Sequence, residues 1–220
     1  MRKCALIFSL ISAAILLGGC TALRFSQDQL PWKQDEQILF SDDFQDKTSG
    51  WEIIANADEL KGYSPEGYLI SVNAGSARAW ETNDLVYQDI EIRTQVRLLT
   101  GAADSNFGLI CRYQDAQNYY SFLISADGYY AILKTVEGKP EILGADSFKF
   151  SEAIHQGDAP NDLSAVCAGS QLSLIANGQP LLSVEDDTFG RGEIGLLLET
   201  RSAGGAAAVF TFFEAARPQP

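Results

Sequence analysis

The sequence is poor in the residues that carry most hydrolytic and metal chemistry. A single histidine, His155, serves the whole 220-residue chain. A serine relay needs an imidazole beside its nucleophile, and no nucleophile elbow marks a serine here. His155 itself lies in a polar stretch, FSEAIHQG, 150–157. Four widely spaced cysteines and that one histidine do not make a zinc ligand set. Positive charge is scarce: 16 lysines and arginines face 29 aspartates and glutamates, a formal net charge of −13. That balance argues against nucleic acid or anionic lipid surfaces as partners. There is no repeat of fixed length and no apolar run of the ~20 residues a spanning helix needs. Helical periodicity never persists beyond a turn or two, which excludes a helical bundle.

The start of the chain points to export. Arg2 and Lys3 precede an apolar run, CALIFSLISAAILL, 4–17, of signal-peptide length. Residues 17–20, LGGC, resemble the bacterial lipobox: an aliphatic residue, two small residues, then a cysteine. The resemblance implies removal of residues 1–19 and acyl chains on Cys20, each buried CH2 of which contributes ~0.8 kcal/mol to membrane binding. The alternative is an ordinary secretory signal with an incidental cysteine, and the chain is exported in either case. Lipidation places the protein in the cell envelope, on the extracytoplasmic side of a bacterial membrane. Thr21, rather than an aspartate, follows the cysteine, which fits the outer membrane of a double-membraned cell. Loss of Arg2 and Lys3 takes the net charge from −13 to −15. Residues 20–37 are polar, contain one proline and read as a lipidated tether. Residues 38–217 form one domain.

Two cysteines remain after Cys4 leaves with the leader and Cys20 takes lipid. Cys111 and Cys167 are an even pair in an oxidising compartment, either bridged or buried as free thiols. A bridge would contribute about 4 kcal/mol in the chain-entropy model.

Period-two alternation dominates from Ile38 onward. In DIEIRTQVRLL, 89–99, Ile90, Ile92, Val96 and Leu98 share one face, and Asp89, Glu91, Arg93, Gln95 and Arg97 the other. Similar runs recur between the turn signals SPEG, ADG, VEGKP and ANGQ. Asn177-Gly178 marks a two-residue hairpin, because a type I′ turn needs positive φ at both positions. The small-residue run SAGGAAA, 202–208, reads as a loop before the last strand. About a dozen short strands predict an all-β, two-sheet antiparallel sandwich.

The stretches CRYQDAQNYYSFLISADGYYAIL and NDLSAVCAGSQLSLIANGQPLLSVEDDTFGRGEIGLLLET, closed by an aromatic strand, resemble the concanavalin A-like lectin/glucanase jelly roll. More narrowly, they are similar to a bacterial laminin-G-like domain related to 3-keto-disaccharide hydrolases. The resemblance covers roughly residues 38–214 and implies the jelly-roll fold and a Cys111–Cys167 bridge. It does not imply a function, since one fold hosts many.

Catalysis finds little support. Glucanases of this superfamily carry three acids on alternate residues of one strand. The nearest match is Asp89-x-Glu91-x-Arg93, in which an arginine replaces the third acid. A solvated strand face, with Asp89 and Glu91 balancing Arg93 and Arg97, accounts for these residues. Binding is better supported. With Cys111 facing the core, alternation turns Phe107, Leu109 and Tyr113 inward and Ile110, Arg112 and Gln114 outward. The next strand then turns Tyr120, Phe122 and Ile124 inward and Tyr119 and Ser121 outward. On a concave sheet, Arg93, Arg97, Arg112, Gln114, Tyr119 and Tyr129 would line a groove that stacks on sugar rings and bonds their hydroxyls. Trp51 and Trp80 read as packing residues. No cofactor is implied beyond a possible structural Ca2+ held by Asp42, Asp43, Asp46 and Glu214, of the kind such jelly rolls hold; Asp186 and Asp187 read as turn caps. The sequence therefore predicts a lipid-anchored glycan-binding or envelope-binding module. A glycoside hydrolase and a protein-interaction module are the alternatives, and the oligomeric state stays open.

Overall fold

The computed structural model describes residues 37–201 and 204–219. The leader, Cys20 and nearly all of the tether lie outside them. Sixteen strands follow in chain order: β1 (Ile38–Asp42), β2 (Ile54–Ala55), β3 (Glu59–Ser64), β4 (Gly67–Val72), β5 (Arg78–Tyr87), β6 (Ile90–Thr100), β7 (Asn106–Asp115) and β8 (Asn118–Ser125), then β9 (Tyr129–Val136), β10 (Lys139–Leu143), β11 (Lys149–Phe150), β12 (Asn161–Ala168), β13 (Gln171–Ala176), β14 (Gln179–Glu185), β15 (Gly192–Glu199) and β16 (Ala206–Ala216). None of the described residues is helical; the stretch around His155 is turns. The last three alanines of SAGGAAA already belong to β16, so the loop is shorter than its composition suggests.

The strands form two antiparallel sheets. One runs β14-β13-β12-β6-β16-β4-β3-β2, with β1 also on β16; the other runs β10-β9-β8-β7-β15-β5, with β11 also on β9. β4 and β1 share one side of β16, pairing with its first and last residues respectively. The first and last of the described strands therefore pair in one sheet. Two hairpins follow from their turn residues. Asn177 and Gly178, at φ 51° and 75°, join β13 to β14, and Glu137 and Gly138, at the same angles, join β9 to β10.

Alternation explains the core. Ile90, Ile92, Val96 and Leu98 of β6 face Phe107, Leu109, Cys111, Tyr120, Phe122, Ile124 and Ile132 of the other sheet. Trp51 is buried here too, and its Nε1 donates to Asp42 at 2.8 Å. The Cys111–Cys167 disulfide crosses this core from β7 to β12. The chain is an all-β jelly-roll sandwich, as its periodicity predicts.

One sequence expectation fails on β7. Arg112 has φ 52°, and the β7–β8 register shifts just beyond Cys111. This bulge reverses the alternation. Tyr113 turns to the outer face, and Arg112, expected outside, is 1% exposed.

Asp186, just after β14, ties one margin of the sandwich. It caps the turn at Thr188, as its sequence context suggests, and also reaches the other sheet. It accepts from Lys134 Nζ at 2.7 Å and from the Tyr120 hydroxyl. Burial alone would raise its carboxyl, but hydrogen bonds from Lys134, Tyr120 and Thr188 outweigh burial and hold it far below the usual carboxylate range. Burial and the bond to Asp186 push the Tyr120 hydroxyl up to about 12. A carboxyl depressed in the folded state stabilises fully above its unfolded value of 3.8 and loses that contribution progressively as pH falls from there through its lower folded value. Urea titrations should therefore find Asp186→Asn less stable than wild type at about pH 6, with the gap closing towards about pH 2. A gap independent of pH would show that the carboxylate charge is not what ties the margin.

Candidate functional site

The seven-stranded sheet is apolar on both faces. Its outer face buries Ile110, Tyr119, Leu123, Ala131, Leu133 and Leu197, with Trp80, Tyr113, Ile142 and Phe148 packed against them. Register arranges this face in rows across the strands. Trp80, Leu197, Gly108, Leu123 and Ala131 form an apolar row. Arg78, Glu199, Asn106 and Ser125 form a polar row beside it.

Two glycines keep the floor low. A Cβ on Gly108 would lie 2.0 Å from Phe122 O, and one on Gly195 2.0 Å from Glu81 O, so neither position takes a side chain. Long side chains cross the strands instead. Tyr119 of β8 and Arg78 of β5 reach across β7 and β15 to meet, with Arg78 Nη1 2.6 Å from the Tyr119 hydroxyl. The Tyr113 ring lies 5.9 Å from that of Tyr119, and Trp80 Nε1 donates to the Tyr113 hydroxyl at 3.3 Å. Burial raises the Tyr113 hydroxyl above its ordinary value, so it stays a neutral donor and acceptor.

A cavity of about 630 Å3 opens at the end of this face. Tyr129 and Phe148 supply its aromatic lining, Ser125 a hydroxyl, Asp104, Asp127 and Asp146 carboxylates, and Arg201 a cation. The Arg201 guanidinium sits 4.9 Å over the Phe148 ring. Ser125 Oγ donates to Asp127 and accepts from Tyr129 N at 3.3 Å. Tyr129 packs edge-on against Phe150 at 5.6 Å, and both rings are exposed. A smaller cleft of about 250 Å3 shares Arg201 and adds Arg78 and Glu199. Asn106, between Glu199 and Ser125 in the polar row, is 1% exposed, and its Oδ1 has no hydrogen-bond partner among the described residues. Buried polar groups almost always find partners, which sets this oxygen apart from its neighbours in the polar row.

A third cavity, of about 310 Å3, lies at the sandwich edge beside Trp80. Lys61 Nζ there bonds Glu81 at 2.7 Å, Glu52 at 3.0 Å and Trp80 O at 2.9 Å. Burial raises the Glu81 carboxyl. Burial also opposes the Lys61 charge, but its two glutamates outweigh that and raise it. Every polar tip of Lys61 is engaged, so this cluster holds β3 to β5 and steadies Trp80.

The structure scatters the residues singled out in sequence. Tyr129 lines the large cavity and Tyr119 lies in the floor of the same face. Arg93 and Arg97 stand on β6, in the opposite sheet, where Arg93 bonds Glu91 at 2.9 Å and Glu214 at 3.4 Å, and Arg97 pairs with Glu66. Arg112 is a structural residue rather than a groove residue: it donates to Gln88 O, Phe189 O and Gly169 O at 2.8–3.2 Å. Gln114 is exposed and bonds the carbonyls of Arg112 and Arg191. Asp89 accepts from Gly169 N at 2.8 Å, and Glu91 from Ser164 and Arg93. Asp42 receives Phe44 N and Trp51 Nε1 and Asp46 receives Thr48. No three acidic, histidine or cysteine side chains among the described residues are grouped to hold a metal ion.

No protein-family model and no curated protein matches the chain. Solved structures do match. The carbohydrate-binding module CBM66 from Bacillus subtilis aligns over 74% of this chain and 92% of its own, with TM-score 0.59 and 16% identity. A GH16 protein of a Bacteroides ovatus mixed linkage glucan PUL, in complex with a G4G4G3G product, aligns over 81% of this chain and 100% of its own, with TM-score 0.56 and 9% identity. A protein with a galectin-like fold from Bacillus subtilis aligns over 84% and 99%, with TM-score 0.54 and 13% identity. These likenesses show the fold: the sandwich of carbohydrate-binding modules and glycoside hydrolase-like jelly rolls.

Removing Arg112 tests its structural role. Arg112→Ala withdraws the donor from three carbonyls and should cost about 3 kcal/mol of unfolding free energy in urea. A loss below about 1 kcal/mol would mean that water replaces the guanidinium freely.

Proposed function

We propose that the chain is an exported lipoprotein, anchored through Cys20 on the extracytoplasmic side of a bacterial membrane, whose sandwich binds a glycan without cleaving it. The observation that carries the reading is the outer face of the seven-stranded sheet. An aromatic floor there runs into a cavity of about 630 Å3 that presents Tyr129, Phe148, Ser125 and Asp127 together. Sugar recognition needs this combination: an aromatic face for the C–H side of the ring and convergent polar groups for its hydroxyls. The similar carbohydrate-binding and GH16 structures support the same class of ligand. The lipobox-like LGGC supports the anchor, and the polar residues up to 37 would act as the tether. The resemblance to domains related to 3-keto-disaccharide hydrolases leaves a disaccharide-cleaving activity as the alternative, and the three carboxylates of the cavity are its natural candidates.

The test is a glycan array probed with the full chain, with and without Ca2+, each hit being assayed for product release. Binding without release is expected. Tyr129→Ala should weaken it about tenfold, the equivalent of one aromatic contact of about 1.4 kcal/mol. Product release would make the protein a hydrolase, and silence across the array would replace glycan with a protein partner. For the anchor, Cys20→Ser should abolish fatty-acid labelling and release the protein from the membrane fraction. An unlabelled wild-type protein would refute lipidation.

A further inference from the structure

We propose that the polar end of this face selects glycans carrying an oxyanion, a carboxylate or sulfate group on the sugar. The inference rests on the glycan reading and narrows it. Arg78 and Arg201 line one cleft of about 250 Å3. Neither makes an ion pair among the described residues. Both are exposed, in a chain where acids outnumber bases 29 to 16.

What holds the two guanidinia is aromatic rather than acidic. Arg78 donates to the Tyr119 hydroxyl at 2.6 Å, and Arg201 lies 4.9 Å over Phe148. A phenol or a ring face orients a guanidinium without cancelling its charge. Arg93 and Arg97, in the opposite sheet, pair with glutamates instead. Two oriented guanidinia, neither in an ion pair among the described residues, outnumber the single carboxylate of their cleft, Glu199, and fit the planar fork geometry of a carboxylate or a sulfate.

Asn106 is the independent observation. It is 1% exposed, stands in register with Glu199 of this cleft and Ser125 of the large cavity, and its Oδ1 lacks a partner among the described residues. That oxygen is an unmet acceptor just beneath the boundary of the cleft and the cavity, where a bound sugar's hydroxyl, or a water it orders, would supply the donor. Glu199 is half-buried beside it and is a second acceptor. Asp104, Asp127 and Asp146 line the larger cavity. Arg201 lines both spaces, and the three carboxylates disfavour an anion within the large cavity, so the acidic group is directed to the cleft that Arg201 shares with Arg78 and the uncharged hydroxyls to the carboxylates.

Calorimetric titration of the purified full chain tests this with uronate-bearing and sulfated oligosaccharides, each paired with a neutral counterpart, carboxyl-reduced or desulfated. The acidic member of a pair should bind at least about tenfold tighter, and the preference should shrink as salt rises from about 0.05 to 0.5 M. Replacing both arginines, Arg78→Gln with Arg201→Gln, should bring the two members within about twofold without lowering the melting temperature, because both side chains are exposed. Preference for uronates alone, or for sulfated members alone, supports the proposal and identifies the group. Equal binding of acidic and neutral members, or a preference that survives the double substitution, overturns it and leaves the glycan reading standing. Failure of every sugar to bind overturns both.

Discussion

Arg112 stands at φ 52° in the middle of β7, and the consequences reach both faces of its sheet. A left-handed conformation costs a branched or long residue about 1–3 kcal/mol. Three backbone carbonyls bonded to its buried guanidinium offset that cost. Inward, the preceding Cys111 keeps its place in the core and bonds to Cys167 in the opposite sheet. Outward, the reversed alternation delivers Tyr113 to the aromatic floor beside Tyr119. The neighbouring strand must make room: a Cβ on Gly192 would lie 2.4 Å from the Arg112 carbonyl carbon, so glycine is needed there. One backbone irregularity thus sets the staple, the floor and a sequence requirement on β15.

The two sheets are tied at three places across their width. The disulfide joins β7 to β12 within the core. At one margin Asp186 reaches Tyr120 and Lys134 on β8 and β9. At the other, Lys61 on β3 meets Glu81 on β5. A buried ion pair gains little net stability, because desolvation opposes attraction. Removing either partner leaves the other uncompensated, so the pair fixes where the edges meet. Sheets held in the middle and at both margins resist sliding, and a binding face needs that resistance to keep its side chains in place.

The sandwich was legible in the sequence because its evidence is local. Alternation in DIEIRTQVRLL names the inward residues of β6, and Asn177-Gly178 names a hairpin whose φ values follow. The cysteine pairing was legible through the lipobox-like leader and the family resemblance. The site was mostly not legible. Arg93 and Arg97 share a polar face with Gln95, but alternation says nothing about which sheet receives a strand, and β6 lies in the other one. Arg112 was misplaced because a single bulge inverts every later residue of a strand. Tyr129 was found because an aromatic beside an Asp-Gly turn stands at a strand end whatever the register. Asn106 was recoverable in principle. The tight turn after Asp115 pairs β7 with β8, and counting back from it, with allowance for the bulge, places Asn106 opposite Ser125. The partners on β5 and β15 come from distant parts of the chain, and pairing over such separations leaves no local signal.

On the proposed reading, the outer face would work through a separation of charge. Its apolar row excludes water from the centre, which strengthens the polar interactions at the borders. Carboxylates collect around the large cavity, and two arginines with one glutamate line the adjoining cleft, with Arg201 in both. The protein as a whole is strongly acidic, so an anionic ligand of the proposed kind would approach against its net field and be accepted only beside the two arginines. Neutral sugars feel no such barrier. A face built this way would discriminate twice, by repulsion from most of the surface and by attraction at one end. Specificity of that kind depends on where the arginines are held rather than on how many there are. Tyr119 and Phe148 do the holding, and the bulge at Arg112 sets Tyr113 beside Tyr119 in the same floor. The proposed ligand preference is therefore linked, through a few aromatic contacts, to the packing of the sheet beneath it.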